Sequence, residues 1–481
     1  MDPQTHTTAP RSPRLLGWLP YLLGGVHVAA FNLLFRWLRG HFGGGDTGEY
    51  LRIAEALRAG WPIAADNTKP LGYPLLIAAG SWLPGSPVAH ALALNVVCYG
   101  LTIFLLGRVV RALGGQSWQA IVAQCLFAII PNPAAWVNIV YTETVTMVLM
   151  TAGLLFALRI VGQPLSLWRW AALGGILGFA GIVRTEYVVM LPAASVALWA
   201  ALRALEPGRR FGRLAVLWLA ALPWLLNQPL LTGWRAPIGF VPPGQSAFMD
   251  VWRSGAYDME FSQLRFHRLT EMADWSVQLT DDQLPRLHAL VQALRVGADP
   301  RDPAPIAPTL LAQAEADLLT IRRLVRTEGR SLFAAYQAVA VQRLRQDPLA
   351  YARRVIRRLV WYLGMVEFDW PAFHPAHWIY SVLASPVSVV GYAMLLWLIW
   401  NPATRGPMGL VAVWSLVPLC VHSLFLYDQR YAITSLPLLS AIWSIALAQW
   451  PARRTVNRPE GASPQAAVTS RSNASAESAY S

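Results

Sequence analysis

The feature that most constrains this chain is the recurrence of apolar stretches about as long as a bilayer is thick. A helix needs about 20 mostly apolar residues to cross the hydrocarbon. The stretches 15–35, 88–109, 118–137, 142–160, 168–183, 187–205, 213–232, 378–400, 408–427 and 432–450 all approach that length. Inside lipid every backbone N–H and C=O must be satisfied within the segment or by a closed barrel, and runs of this length suit helices. Composition agrees: the 481 residues are 55% hydrophobic and 14% charged, where an average soluble domain carries about 25% charged residues. A disordered chain, a collagen, a disulfide scaffold and an ordinary soluble enzyme are excluded. The expected fold class is an all-α polytopic membrane protein of about ten transmembrane helices, with a mostly helical extracytoplasmic insertion.

The net charge of +13 would suggest nucleic acid in a soluble protein. Here basic residues mark cytoplasmic loop ends. Arg108 and Arg111, Arg159 and Arg169, Arg203 to Arg213, Arg405, and Arg453 with Arg454 fall at alternate turns. The first span follows Arg11 and Arg14 without a cleavage site, so it reads as an uncleaved anchor. Both termini are then expected in the cytoplasm. The expected layout is a cytoplasmic N-terminus (1–14), an N-terminal transmembrane module (15–232) with a first external loop (36–87), and an extracytoplasmic insertion (233–377). A C-terminal module (378–450) and a disordered cytoplasmic tail (451–481) complete it. A second external stretch is short, around Asn132–Glu143. Cys98, Cys125 and Cys420 sit in apolar stretches and read as small core side chains.

Within the insertion, 351–363 has helical spacing. Arg353, Arg354, Arg357 and Arg358 occupy one face, and Val355, Ile356, Leu359, Val360 and Tyr362 the other. Four arginines so close together are costly at a bilayer centre, so the segment is expected on the membrane surface. It is a plain anchor or a wall for an anionic headgroup.

The first external loop carries the most chemistry. Gly43–Gly45 lead into Asp46-Thr-Gly-Glu49-Tyr50, a short helix follows, and then Lys69-Pro-Leu-Gly-Tyr73. Asp46 either caps that helix, with Glu49 completing a capping box, or acts as a general base at the mouth of the bundle. Lys69 is the single lysine among 39 basic residues. It either snorkels to the interface or binds phosphate as a point charge. Glu143 heads the fourth span and either complements that helix's N-terminus or serves chemistry. Arg184 and Glu186 share the turn before the sixth span. Arg430 precedes Tyr431 outside the ninth span and pairs with Asp428 or with a phosphate. Walker A, Rossmann, HExxH and haem-type signatures are missing. Glu367, Asp369, His374 and His377 match no standard metal spacing.

Taken in order, these motifs resemble the polytopic GT-C glycosyltransferases, in the branch of the protein mannosyltransferases and aminoarabinose transferases. The resemblance covers about the first 230 and the last 110 residues. It implies a bacterial inner-membrane, multi-pass GT-C-like bundle that moves a monosaccharide from a polyprenyl-phosphate donor to a lipid, glycan or protein acceptor on the extracytoplasmic face. It implies Asp46, Glu143 and Glu49 as catalytic candidates, with Lys69, Arg184 and Arg430 at the donor phosphate. Tyr50, Tyr73 and Tyr431 follow as substrate-binding residues. The expected reaction is an inverting single displacement in which the cations replace a metal, with no cofactor and no nucleic acid partner. The sequence departs from the pattern in separating Asp46 from Glu49 and in placing Leu71 after Pro70. A transporter or flippase of lipid-linked saccharides is the alternative, and a non-catalytic scaffold the third. The absence of an internal repeat favours the enzyme.

Overall fold

A computed structural model of the protein describes residues 14–39, 46–60, 69–231, 252, 263–294, 306–364, 375–401, 404–425 and 429–456. Every regular element among them is helical. The expected spans all appear as helices: α1 (Leu19–Arg39), α4 (Pro87–Ala112), α5 (Ser117–Ile129) with α6 (Pro131–Val137), α7 (Glu143–Gly162), α8 (Leu167–Val183), α9 (Met190–Ala201), α10 (Pro207–Leu231), α16 (Pro375–Trp400), α17 (Arg405–Phe425) and α18 (Leu436–Val456). α4 and α7 are long and apolar enough to cross a membrane by themselves, as is Arg405–Leu424 within α17. Shorter apolar helices cover Leu19–Leu34, Leu167–Val183, Thr185–Ala201, Ala384–Trp400 and Ala432–Ala448. The chain is an all-α polytopic membrane protein.

One span departs from the straight helix expected over 118–137. The chain bends by 64° between α5 and α6. Pro131 opens α6, and Ile130 before it is extended at φ −67°, ψ 121°, as a residue preceding proline prefers. α6 and the turn after it therefore fold into the bundle: Pro131, Asn132, Val137, Asn138 and Val140 are all buried. The second loop is not a surface turn.

Helix contacts are made close by small residues. On α8, a Cβ at Gly174 would sit 2.0 Å from the Leu217 carbonyl oxygen, and one at Gly178 would sit 2.9 Å from the Ala221 backbone. Two glycines four apart thus bring α8 and α10 into backbone contact, as small-residue motifs do where no hydrophobic force acts between spans. Polar side chains within the spans are absorbed locally. The hydroxyls of Thr146, Thr151, Ser415 and Ser440 donate to the carbonyl four residues earlier, which satisfies them without a partner helix.

The insertion has a core of its own. Helices α11 (Gln263–Gln278), α12 (Leu284–Ala293), α13 (Pro308–Arg326) and α14 (Leu332–Gln346) bury Trp252, Leu269, Leu287, Leu318 and Tyr336. Asp317, also buried, pins this core by accepting from Trp252 Nε1 at 2.9 Å and from Arg343 Nη2 at 2.6 Å. The surface-helix expectation is met only in part by α15 (Pro348–Gly364). Arg353 and Arg357 are exposed, but Arg358 is fully buried and donates to the Ser423 carbonyl at 2.8 Å. Ile356 and Val360 are exposed instead. Arg358 and Tyr362 lie one turn apart and face α17, so the helix is docked along that edge and the four arginines do not share one role. The tail beyond 456 lies outside the described residues. Cys98 is buried as expected, Cys125 is half-buried, and Cys420 is exposed rather than part of the core.

Candidate active site

The loops and turns that carry the candidate residues gather at one end of the bundle. The helices that follow Asp46 and Lys69 are α2 (Thr47–Ala59) and α3 (Gly72–Ala79). Asp46 occupies the N-cap position of α2, but its backbone is already helical and its side chain makes no capping hydrogen bond. The carboxylate turns instead to Lys69, with Oδ1 2.9 Å from Nζ. The capping expectation is thus corrected, and the carboxylate and ammonium stay about 28% and 27% exposed, open to a ligand. α2 is tied down by its backbone and by Thr47. Asp46 N–H donates to the Tyr141 hydroxyl, and the Thr47 hydroxyl donates to the Val140 carbonyl.

Gly72 explains how Lys69 reaches this point. A Cβ at Gly72 would lie 2.7 Å from Val183 N and 2.8 Å from the Ile182 carbonyl. The start of α3 therefore rests directly on the last turn of α8, one residue before Arg184. Below it, the fully buried Tyr73 donates to Asn95 Oδ1, as does Thr144, while Asn95 Nδ2 donates to the Ile139 carbonyl at 2.8 Å. Asn95 joins α3, α4 and the head of α7. It escaped the sequence reading because a lone Asn inside a span has no local signature. Tyr50 packs edge-on against Tyr73 and Tyr141, at 5.4 and 6.3 Å between ring centres. Tyr50 lies one turn after Asp46 on α2, and Tyr73 lies in the first turn of α3, four residues after Lys69.

A second, buried charge cluster adjoins the first. Arg184 ends α8 and is only 7% exposed. Its Nη1 donates to Glu143 at 3.1 Å and its Nε to Glu186 at 2.8 Å. Glu143, at 1% exposure, is buried with a cation against it, as a charge in an apolar surrounding requires. Glu186 sits in the turn Thr185–Val189. Burial by itself would raise its carboxyl; the Arg184 guanidinium beside it, with His422 and a backbone hydrogen bond, outweighs this and holds it down at about 2. Glu186 is therefore an anion that orients Arg184 and not a proton acceptor near neutrality. His422, on α17, lies 3.9 Å from Glu186 and packs against the rings of Tyr187 and Tyr362. Tyr187 in turn shares a hydrogen bond with Thr434. His422 was absent from the candidates because only the packing of α17 against the turn brings it there.

Glu49 lies half-buried in the first turn of α2. Arg430 and Tyr431 belong to the turn Gln429–Ser435, and their side chains, with Asp428, lie outside the described residues. So do Gly43–Gly45, Asp66–Thr68, Glu367, Asp369, His374 and the side chain of His377. Among the described residues no group of three His, Cys, Asp or Glu side chains is placed to hold a metal ion.

No family model matches the sequence, and no curated protein matches it. Solved structures do. One is the oligosaccharyltransferase AglB from Archaeoglobus fulgidus, in complex with an inhibitory peptide and a dolichol-phosphate: 13% identity, TM-score 0.44, over 94% of this chain and 53% of that one. Its apo form gives 12% identity and a TM-score of 0.47. Another is ArnT from Cupriavidus metallidurans bound to undecaprenyl phosphate: 13% identity, TM-score 0.37, over 93% of this chain and 81% of that one. AglB and ArnT are GT-C transferases. The chain spans about half the length of the oligosaccharyltransferase structures it matches. At such TM-scores no residue role passes from those proteins to this one.

Proposed function

We propose that the protein is a membrane glycosyltransferase that moves a monosaccharide from a polyprenyl-phosphate donor to an acceptor on the extracytoplasmic face. The observation that carries the reading is the half-exposed Asp46–Lys69 pair, set beside the buried Glu143–Arg184–Glu186 cluster. Transfer of a phosphate-linked sugar needs a cation where negative charge develops on the leaving phosphate and a carboxylate where the acceptor loses its proton. Both stand within one ion pair. When the donor phosphate draws Lys69 away, the Asp46 carboxylate is left to take the acceptor's proton. The acceptor oxygen or nitrogen bonds to the anomeric carbon as the bond to the phosphate breaks, and the configuration inverts. Arg184 adds positive charge behind the phosphate, oriented by Glu143 and Glu186, and Arg430 is the third cation assigned to the phosphate. Glu49 is the second candidate for the base. Tyr50, Tyr73 and Tyr431 shape the sugar's surroundings.

Fixed cations supply the charge that a divalent metal would otherwise bring, so transfer should proceed in EDTA. The deciding assay uses the purified full-length protein in nanodiscs with a panel of undecaprenyl-phosphate sugars, following the release of undecaprenyl phosphate. Asp46-dependent release in the presence of EDTA is the expected result. No release with any donor, or a complete loss that Mg²⁺ or Mn²⁺ restores, would overturn the donor class or the metal independence respectively.

A further inference from the structure

Asn95 is fully buried in α4, and separate segments that carry the charged candidates meet on it. A side-chain amide offers two N–H donors and two acceptor lone pairs, and here all four are used. Nδ2 donates to the Ile139 carbonyl at 2.8 Å and to the Val137 carbonyl at 3.3 Å. Oδ1 accepts from the Thr144 hydroxyl at 2.7 Å and from the Tyr73 hydroxyl at 3.2 Å. Tyr73 and Thr144 are fully buried as well. A buried amide with every valence used holds its partners in one arrangement, because any slip strands a donor or acceptor away from water.

Three of these bonds end beside a charged candidate. Thr144 follows Glu143, whose carboxylate meets Arg184 at 3.1 Å. Tyr73 stands four residues after Lys69 and next to Gly72, which rests on Val183 just before Arg184. Ile139 precedes Val140 and Tyr141, which accept from the Thr47 hydroxyl and the Asp46 N–H. The two ion pairs, Asp46–Lys69 and Glu143–Arg184, thus draw on four segments: the starts of α2, α3 and α7 and the end of α8. Asn95 bonds directly to α3 and α7 and reaches α2 through the turn after α6. Cations carried on different segments serve one phosphate only when their spacing is fixed.

We propose that Asn95 is a positioning residue that sets the spacing of Lys69 and Arg184 about a single phosphate, with Tyr73 and Thr144 as its two arms. This rests on the transferase reading above and names the residue that aligns its two charge clusters. In this role the Tyr73 hydroxyl acts on the donor through α3, and the Thr144 hydroxyl acts through the Glu143–Arg184 pair.

The test titrates the purified full-length protein in detergent with undecaprenyl phosphate and, separately, with undecaprenol, which lacks only the phosphate. Tyr73→Phe and Thr144→Val each delete one hydroxyl and keep the shape of the side chain. Each should weaken undecaprenyl phosphate binding about tenfold, roughly the worth of one buried hydrogen bond, and leave undecaprenol binding at the wild-type level. In an Asn95→Leu background neither should weaken it further, since the junction they act through is gone. The two single variants decide the matter should Asn95→Leu fail to fold. Wild-type affinity for undecaprenyl phosphate in either variant overturns the proposal. So does a loss shared equally with undecaprenol, which would leave Asn95 a packing residue, and so does a further loss in the Asn95→Leu background. A wild-type protein that binds the two lipids equally overturns it as well. Binding needs no turnover, so the proposal can fail while Asp46-dependent transfer stands, and transfer can fail with every donor while the binding shifts stand.

Discussion

At the scale of single residues, the partly exposed ion pair and the buried cluster differ in what their loss should do. Asp46 and Lys69 are partly exposed, and such pairs contribute about 0.2–1 kcal/mol to stability. Asp46→Asn should therefore abolish transfer with only a small change in melting temperature, and Lys69→Ala should raise the donor KM more than it lowers kcat. An active Asp46→Asn enzyme would pass the base role to Glu49, which Glu49→Gln would then reveal. Arg184 is buried between two carboxylates. Removing it leaves Glu143 and Glu186 without that cation, and breaking a buried pair costs about 3–5 kcal/mol. Arg184→Ala should melt well below the wild type, whereas Glu186→Gln, which keeps one hydrogen bond to Arg184, should lose less. A thermal scan in detergent separates the two.

At the scale of elements, the site depends on where helices touch backbone to backbone. Gly72→Ala drives a methyl group into Ile182–Val183. Because this is main chain that cannot rotate away, α3 must lift from α8, at about 1–3 kcal/mol. The expected signature is a lower melting temperature together with weaker donor binding, since Lys69 moves with α3. Gly174→Ala meets the Leu217 carbonyl at 2.0 Å but lies far along α8 from Arg184. It should destabilise at least as strongly while leaving the KM of the surviving folded enzyme near the wild-type value. Equal KM shifts in the two variants would contradict the assigned contacts. The glycines four apart on α8 were not among the sequence expectations. Spacing alone names a face and not what packs on it, so their partner on α10 appears only in the tertiary structure.

For the whole molecule, the prediction concerns sidedness. From the arginine pattern we propose that the Asp46 end lies outside, and cysteine accessibility tests this in intact cells. Ala89→Cys, exposed in the first turn of α4, should react with an impermeant maleimide, while Gln163→Cys, exposed at the far end of α7, should not. The reverse pattern would place the reaction in the cytoplasm and end the donor–acceptor reading as framed. The insertion's separate core and its docking through Arg358 onto Ser423 indicate a folded unit fastened to α17, next to His422 and hence to the buried cluster.

The sequence alone determined the fold class and the spans, because a bilayer admits helices of one length and apolarity and penalises everything else. It also singled out Asp46, Lys69, Glu143 and Arg184, because charged residues beside hydrocarbon are too costly to be incidental. It left each with two readings, cap or base, snorkel or ligand. Only the tertiary structure decided which carboxylate meets which cation, turned Asp46 from a cap to a partner of Lys69, buried Arg358, and brought Asn95 and His422 to the site. Those outcomes depend on contacts between residues far apart in the chain, such as Asp46 with Tyr141 and Glu186 with His422. Local spacing specifies which face a residue takes, while the packing of one helix on another decides what that face meets.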